Sequence, residues 1–329
     1  MKHVAITVSL ALSCVISFFI ALKLGAIAIN TEQVLHALWH YDAGNFSQKI
    51  IIELRLPRVI LAFIAGSGLA MAGLILQTVT RNPLADPYLF GISSGASFGV
   101  VVLFAITGIQ AGLALSGAAF AGSLLAMTLL LLIAKGRTSG QVEAMLLAGV
   151  ALSFLFSSFT SLLLYWSDPQ AISAILFWNL GSFSRADWQW LWLPSLVVSG
   201  CMLIMLLLRR PINALLLGDE SATTLGVSVE KVRLGMLLLS SLLTAVLVAM
   251  CGGVGFVGLM IPHIVRFFIS QATTLGLITT AMSGGLLMIW VDVIARISFE
   301  NQELPIGVIT SAIGSVFFLF LLMFRKRSS

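Results

Sequence analysis

Residues 55–95 read RLPRVILAFIAGSGLAMAGLILQTVTRNPLADPYLFGISSG. From Val59 to Thr80 there is no charged residue, and at about 1.5 Å rise per residue that run is long enough to cross a hydrocarbon core of about 30 Å. Charges mark both of its ends, Arg55 and Arg58 on one side and Arg81 and Asp86 on the other. Pro83 and Pro87 then forbid the helix from continuing unbroken. The stretch predicts a membrane-spanning helix, a sharp proline-bracketed turn, and a second apolar helix returning.

Outward from this hairpin, the whole chain reads the same way. Of its 329 residues 59% are hydrophobic and 9% charged, against about 25% charged in a soluble domain. Such a chain cannot clothe itself in polar surface, so lipid is its solvent. Charge-free runs predict ten spans, near 4–29, 59–80, 88–107, 112–134, 144–166, 188–208, 234–251, 254–270, 274–291 and 304–324. Gly108, Gln110 and Gly112 are the expected break in the long uncharged stretch between Asp86 and Lys135. Gly252, Gly253, Gly255 and Pro262 predict two shortened helices between Arg233 and Arg266.

With an inside N-terminus, twelve basic residues fall inside, among them Arg81, Lys135, Arg137, Arg209, Arg210, Arg233, Lys326 and Arg327. Six fall outside: Lys23, Lys49, Arg55, Arg58, Arg185 and Arg296. This excess predicts cytoplasmic termini. The net charge of +5 is spread over loops without an aromatic-interleaved basic patch, so no nucleic-acid partner is expected. The first apolar run has no compelling small-residue cleavage site and reads as a retained span. Cys14, Cys201 and Cys251 fall inside predicted spans at unrelated spacings and read as packing residues. Small residues at Gly91, Gly95 and Gly99, and at Gly307, Ser311 and Ser315, predict close helix packing.

Chemistry-bearing motifs are scarce. Gly91 to Gly95 matches G-x-S-x-G, but no strand precedes Ser93 and no Asp and His complete a triad, so catalysis is not expected. His36 and His40 have the spacing of two ligands on a helix face but no third ligand, so neither a metal nor a cofactor is expected. No G-x-x-x-x-G-K-[ST] occurs, so the chain has no phosphate cradle of its own. An ion-coupled secondary carrier, the alternative of a different class, needs ionisable groups near the midplane. Here nearly all lie at helix ends, with Asp292 one turn from Arg296 and expected to pair with it. Residues 209–233, RRPINALLLGDESATTLGVSVEKVR, are too apolar for a flexible linker and too charged for a span. They predict two short helices lying along the membrane with an apolar side open to a partner.

RLPR at 55–58, RNPLADP at 81–87, GISSGA at 91–96, LLAGVAL at 146–152, LGDESATTLGV at 217–227, GFVGLMIPHIVR at 255–266 and ELPIGVIT at 303–310 together resemble the FecCD-type permeases. These are the membrane subunits of bacterial ABC importers for iron siderophores, haem and vitamin B12. The resemblance covers essentially the whole chain. It implies an all-α, ten-helix permease of the type II ABC importer fold, with residues 1–329 forming a single transmembrane domain in the bacterial inner membrane. It implies a homodimer, two cytoplasmic ATP-binding subunits and a periplasmic binding protein as partners, and a ferric siderophore, or else haem or vitamin B12, as cargo. It implies a coupling loop at about 213–231, with Gly218, Asp219, Glu220, Leu225 and Gly226 the positions carried over. It also implies that Arg55, Arg58 and Arg296 receive carboxylates of the binding protein, a task suited to the planar guanidinium fork. The pathway is expected along the dimer axis, with Gln77, Ser153 and Ser157 as liners.

Overall fold

The structure is a computed structural model that describes residues 2–25, 27–109, 112–134, 141–299 and 302–325. Gln110, Lys135, Arg137, Lys326 and Arg327, used above for a break and for orientation, lie outside the described residues. Fifteen α-helices follow one another among the described residues, with no strand between them. They are α1 (Lys2–Lys23), α2 (Thr31–Trp39), α3 (Phe46–Lys49), α4 (Leu56–Thr80), α5 (Ile92–Thr107), α6 (Leu113–Ala134), α7 (Gln141–Tyr165) and α8 (Pro169–Asn179). After these come α9 (Trp192–Leu207), α10 (Arg209–Leu216), α11 (Asp219–Thr224), α12 (Val229–Cys251), α13 (Val257–Arg266), α14 (Thr274–Ile297) and α15 (Ile306–Arg325). Each of the ten expected spans meets a helix: α1, α4, α5, α6, α7, α9, α12, α13, α14 and α15.

Seven of the helices are long and apolar enough to cross a bilayer by themselves, whereas α5 and α13 are shorter. The break expected near 108 falls where α5 ends on Gly108 at φ +69. The largest departure from the expected bounds is at the start of α4. The apolar run begins at Val59, yet the helical backbone begins at Phe46 and passes through a π-turn at Ile50–Arg55. Charge marks where lipid ends, not where the helix ends. Pro57 explains the π-turn: it has no N–H to give and its ring crowds the carbonyl four residues back. The backbone widens so that Leu56 N–H reaches Ile51 O. The carbonyl five residues before the proline, Ile52 O, is taken instead by Trp188 Nε1 at 2.8 Å.

The chain divides into two compact units, each assembled from separated segments. One comprises residues 1–71, 182–206 and 254–329, and the other residues 72–181 and 207–253. In the first, Ala21 and Leu22 of α1 pack with Val34 and Ala37 of α2, Val59 of α4, and Ile289 and Val293 of α14. In the second, Val100 and Phe104 of α5 pack with Leu115 and Ala119 of α6, Ile175 and Trp178 of α8, and Val248 of α12. The helix α8 was not expected from sequence, because its 11 residues are too few to give a span signal.

Because lipid tails are as apolar as leucine, these contacts gain by close packing rather than by leaving water. The glycine stripe at 95 and 99 serves that purpose. A methyl group added at Gly95 would run into the carbonyl of Gly122, and one at Gly99 into that of Ala118, so α5 and α6 touch backbone to backbone. Only 11% of the span window of α1 is buried against 61% for α14, so α1 lies on the outside of its unit and α14 nearer its centre.

Candidate functional site

Two acid–base clusters stand out, one around the first turn of α4 and one just beyond its last. Arg55, Arg58 and Arg296 are all buried, at 6–8% exposure. Arg58 Nε lies 2.6 Å from Asp292 Oδ1, and its Nη1 donates to Glu303 Oε1 at 2.7 Å. Arg296, one turn after Asp292 on α14, places Nε 3.0 Å from Asp292 Oδ2. The expected Asp292–Arg296 pair is present and belongs to a larger cluster in which Asp292 is 0% exposed. A carboxylate at that depth is tolerable only because two guanidinium groups neutralise it.

The remaining donors of Arg55 and Arg296 turn to the main chain. Arg55 Nη1 donates to Leu22 O and Lys23 O, both at 2.8 Å, and Nη2 to Ile27 O. Arg296 donates to Leu24 O at 2.9 Å and Ala21 O at 3.2 Å. The carbonyls of Ala21, Leu22 and Lys23 are the last of α1, which no N–H of the helix itself reaches, and those of Leu24 and Ile27 follow just beyond it. Two arginines from distant segments therefore cap α1 together. Gly25 fits this packing, since a Cβ there would sit 2.7 Å from Arg55 Nη2. Three free forks were expected from the sequence; the placement differs, because Arg55 and Arg296 spend their N–H groups on α1. All three arginines nevertheless line a cavity of about 620 Å³, walled by Phe46, Ile50, Leu54 and Phe299 and bordered by Glu303.

The second cluster surrounds the short helices α10 and α11, which are the two expected between Arg209 and Arg233. Gly218 between them adopts φ 108 and ψ 157, a region that is essentially glycine's alone. The helix α11 ends in a Schellman turn: Gly226 at φ +80 donates to Thr223 O at 2.9 Å, and Val227 N–H reaches Ala222 O at 3.0 Å. Asp219 opens α11, where the helix dipole favours an anion. It accepts two bonds from Arg233 Nη2, at 2.9 and 3.1 Å, and one from Arg81 Nη2. Arg81 also donates through Nε to Leu215 O at 2.8 Å, from a left-handed backbone at φ +51. Desolvation raises the Asp219 pKa, but Arg233 first and Arg81 second outweigh it and hold the carboxyl below its ordinary value. Asp219 is thus a staple for the loop. Outside the staple, Leu217 and Leu225 are 66% and 65% exposed, Leu216 is exposed, and Glu220 is exposed beside them.

The expected pathway residues do not share one environment. Gln77 is buried in α4, Ser153 is half-buried on α7 with its hydroxyl donating to Gly149 O at 2.9 Å, and Ser157, one turn on, is exposed. No group of His, Cys, Asp and Glu with metal-ligand geometry occurs among the described residues.

The FecCD transport family matches residues 13–324. The chain belongs to that family. The hemin transport system permease protein HmuU of Yersinia pestis is 35% identical, with 93% of this chain and 91% of HmuU covered. The Fe(3+) dicitrate transport system permease protein FecD of Escherichia coli is 34% identical, with 97% and 98% covered. A solved ABC transporter of the metal-chelate type, in an inward-facing conformation, superposes with a TM-score of 0.85 at 32% identity, covering 98% of this chain and 99% of that one.

This FecCD protein is therefore an integral-membrane permease subunit of an ABC transporter. Its family motifs map onto the two clusters: RLPR and ELPIG meet at the Arg58–Glu303 bond, and RNPLADP meets LGDESATTLGV at the Arg81–Asp219 bond. Sequence reading missed Glu303, Arg81 and Arg233 as members of these sites, and saw Asp292 only as a partner of Arg296. The partners lie up to 245 residues apart, and no local pattern reports that. One signal was available: an acid on a span paired with an arginine one turn away leaves two guanidinium groups, Arg55 and Arg58, equally in need of partners.

Proposed function

We propose that this permease moves a ferric chelate of the siderophore class from periplasm to cytoplasm, as a homodimer in the inner membrane driven by ATP hydrolysis in separate subunits. Residues 1–329 act as one permease body with both termini cytoplasmic, and residues 213–231 are its coupling lever. The observation that carries this reading is the α10–α11 surface. Leu216, Leu217 and Leu225 stand exposed on a segment tied down by Asp219. An exposed apolar patch rimmed by charge, on an otherwise well-anchored loop, is the form of a partner site.

Gly218, Asp219, Glu220, Leu225 and Gly226 set the shape and surface of that lever, and Arg55, Arg58 and Arg296 form the receiving face for the binding protein. Gln77, Ser153 and Ser157 lie toward the path of the cargo. Haem and vitamin B12 remain the alternative cargoes, since hemin, dicitrate and vitamin B12 relatives are similar to this chain at 34–36% identity. An ion-coupled carrier is disfavoured by Asp292, the fully buried carboxylate on a span, being neutralised by two arginines and not free to carry a proton.

The test is reconstitution in proteoliposomes with the ATP-binding subunits and the binding protein. Uptake is expected only with ATP inside. Gly226→Trp destroys the φ +80 turn in a position with open space around it, so it is expected to leave ATP hydrolysis in place and abolish uptake. Accumulation by the permease alone, driven by an ion gradient, overturns the proposal. Native mass spectrometry of the binding protein's copurifying ligand decides among chelate, haem and vitamin B12.

A further inference from the structure

We infer that Glu303 is an exchangeable internal occupant of Arg58, and that a carboxylate-bearing partner docks by displacing it. The inference rests on the docking reading above and specifies how that site is kept ready. Arg58 holds two carboxylates of very different freedom. Asp292 is sealed, with a side-chain exposure of 0%, and sits within α14. Glu303 has a side-chain exposure of 45% and lies on the extended segment just before α15, where Leu304 N–H donates to Ala295 O at 3.1 Å. Both Arg58 and Glu303 face the 620 Å³ cavity.

A guanidinium stays charged at any relevant pH and costs free energy when buried without a partner. With no partner protein bound, Glu303 fills the second half of the fork at 2.7 Å. An incoming carboxylate replaces one acid by another, and Glu303, already half in water, leaves at small desolvation cost. The charge balance favours the exchange: three arginines face two acids, so the cavity carries one net positive charge with Glu303 bound and two when it swings away. A partner presenting an acidic side chain fits this surface; a basic one does not.

The apparent affinity of such a site is the intrinsic affinity reduced by the fraction of molecules in which Arg58 is free. A hold of about 1 kcal/mol by Glu303 leaves the fork free in roughly one molecule in five or six, so its removal tightens binding about fivefold. The experiment measures the Kd of the purified binding protein for the nanodisc-embedded transporter in wild type, Glu303→Gln, Glu303→Ala, and the paired variant Arg58→Met with Asp292→Leu, which removes the fork together with its sealed carboxylate and leaves Arg296 held by Leu24 O and Ala21 O. Both Glu303 variants are expected to bind about fivefold tighter, chiefly through faster association, and the paired variant to bind poorly. Unchanged or weaker binding in the near-isosteric Glu303→Gln, with binding lost in the paired variant, overturns the exchange and leaves the docking reading standing. Unchanged binding in the paired variant removes the docking reading, and the exchange with it.

Discussion

Replacing Asp292 by alanine is the sharpest energetic probe of this fold. The carboxylate is fully enclosed, 2.6 Å from Arg58 Nε and 3.0 Å from Arg296 Nε, and both guanidinium groups are themselves at least nine-tenths buried. Without it, two like charges face each other in a poorly hydrated site, and only the half-exposed Glu303 remains to offset them. Breaking a buried ion pair by removing one partner costs about 3–5 kcal/mol, which lowers the folding equilibrium constant by a factor of about 10²–10⁴. Asp292→Asn keeps an oxygen to accept from Arg58 but drops the charge, so a loss of about half that size is expected. Replacing Arg58 by methionine and Asp292 by leucine together removes one charge and its counter-charge but leaves buried Arg296 with only the Leu24 and Ala21 carbonyls, so part of the stability is expected to return. Thermal unfolding of the three variants in detergent, followed by size-exclusion chromatography, reads these differences directly. A melting temperature for Asp292→Ala within a degree or two of wild type refutes the cluster as a source of stability.

Two further outcomes follow from local geometry. Gly252 ends α12 at φ +74, and a side chain there would strike the backbone of Trp178 and Gly181; Gly252→Ala is expected to cost roughly 3 kcal/mol or more, whereas Gly235→Ala, in open space on the same helix, is expected to be neutral or mildly stabilising. The comparison is a pair of melting curves. Asp86 caps the turn at Pro87–Phe90 by accepting from Tyr88 N–H at 2.8 Å, and burial pushes its carboxyl up to about 6 from 3.8, with the Tyr88 N–H pulling the other way. A carboxyl with a raised folded pKa holds its proton more firmly in the folded chain, so stability is greatest below about pH 4 and falls as pH climbs to about 6. Asp86→Asn keeps the cap and removes the buried charge; it is expected to gain up to about 3 kcal/mol at pH 7.5 and nothing near pH 3.5. A pH-independent difference between the two proteins contradicts this assignment.

What the sequence revealed and what it hid divide along physical lines. Spans were legible because hydropathy and charge are local, and each of the ten runs met a helix. The π-turn before α4 was written in Pro57, yet it stayed invisible to a reading that ended the helix where the charges began. The helix α8 was hidden for a similar reason: Ile175 and Trp178 enter the core from a segment too short to register as a span. The two short helices between Arg209 and Arg233 were readable because glycines at 218 and 226 punctuate them, and both adopt positive φ. Arg55, Arg58 and Arg296 were legible as a charge pattern but not as geometry. Whether a guanidinium faces outward or caps a helix 30 residues earlier depends on chain contacts that spacing does not encode, as Arg55 and the end of α1 illustrate.

The two clusters differ in strength in a way that suits a transport subunit. Around Arg58, every ionic group except Glu303 is buried, and breaking the set is costly. Around Asp219, the side chains of Asp219 and Arg81 are 49% and 39% exposed although Arg233 is only 11% exposed, and an exposed pair such as Arg81–Asp219 contributes about 0.2–1 kcal/mol. One cluster is therefore a fixed anchor, whereas the other holds a loop in shape while letting it yield to a force of ordinary binding-energy size. A segment meant to be pushed by a partner needs that second property. If Asp219 were instead sealed like Asp292, the exposed leucines beside it would rest on ground too stiff to move, and the coupling role would lose its physical basis.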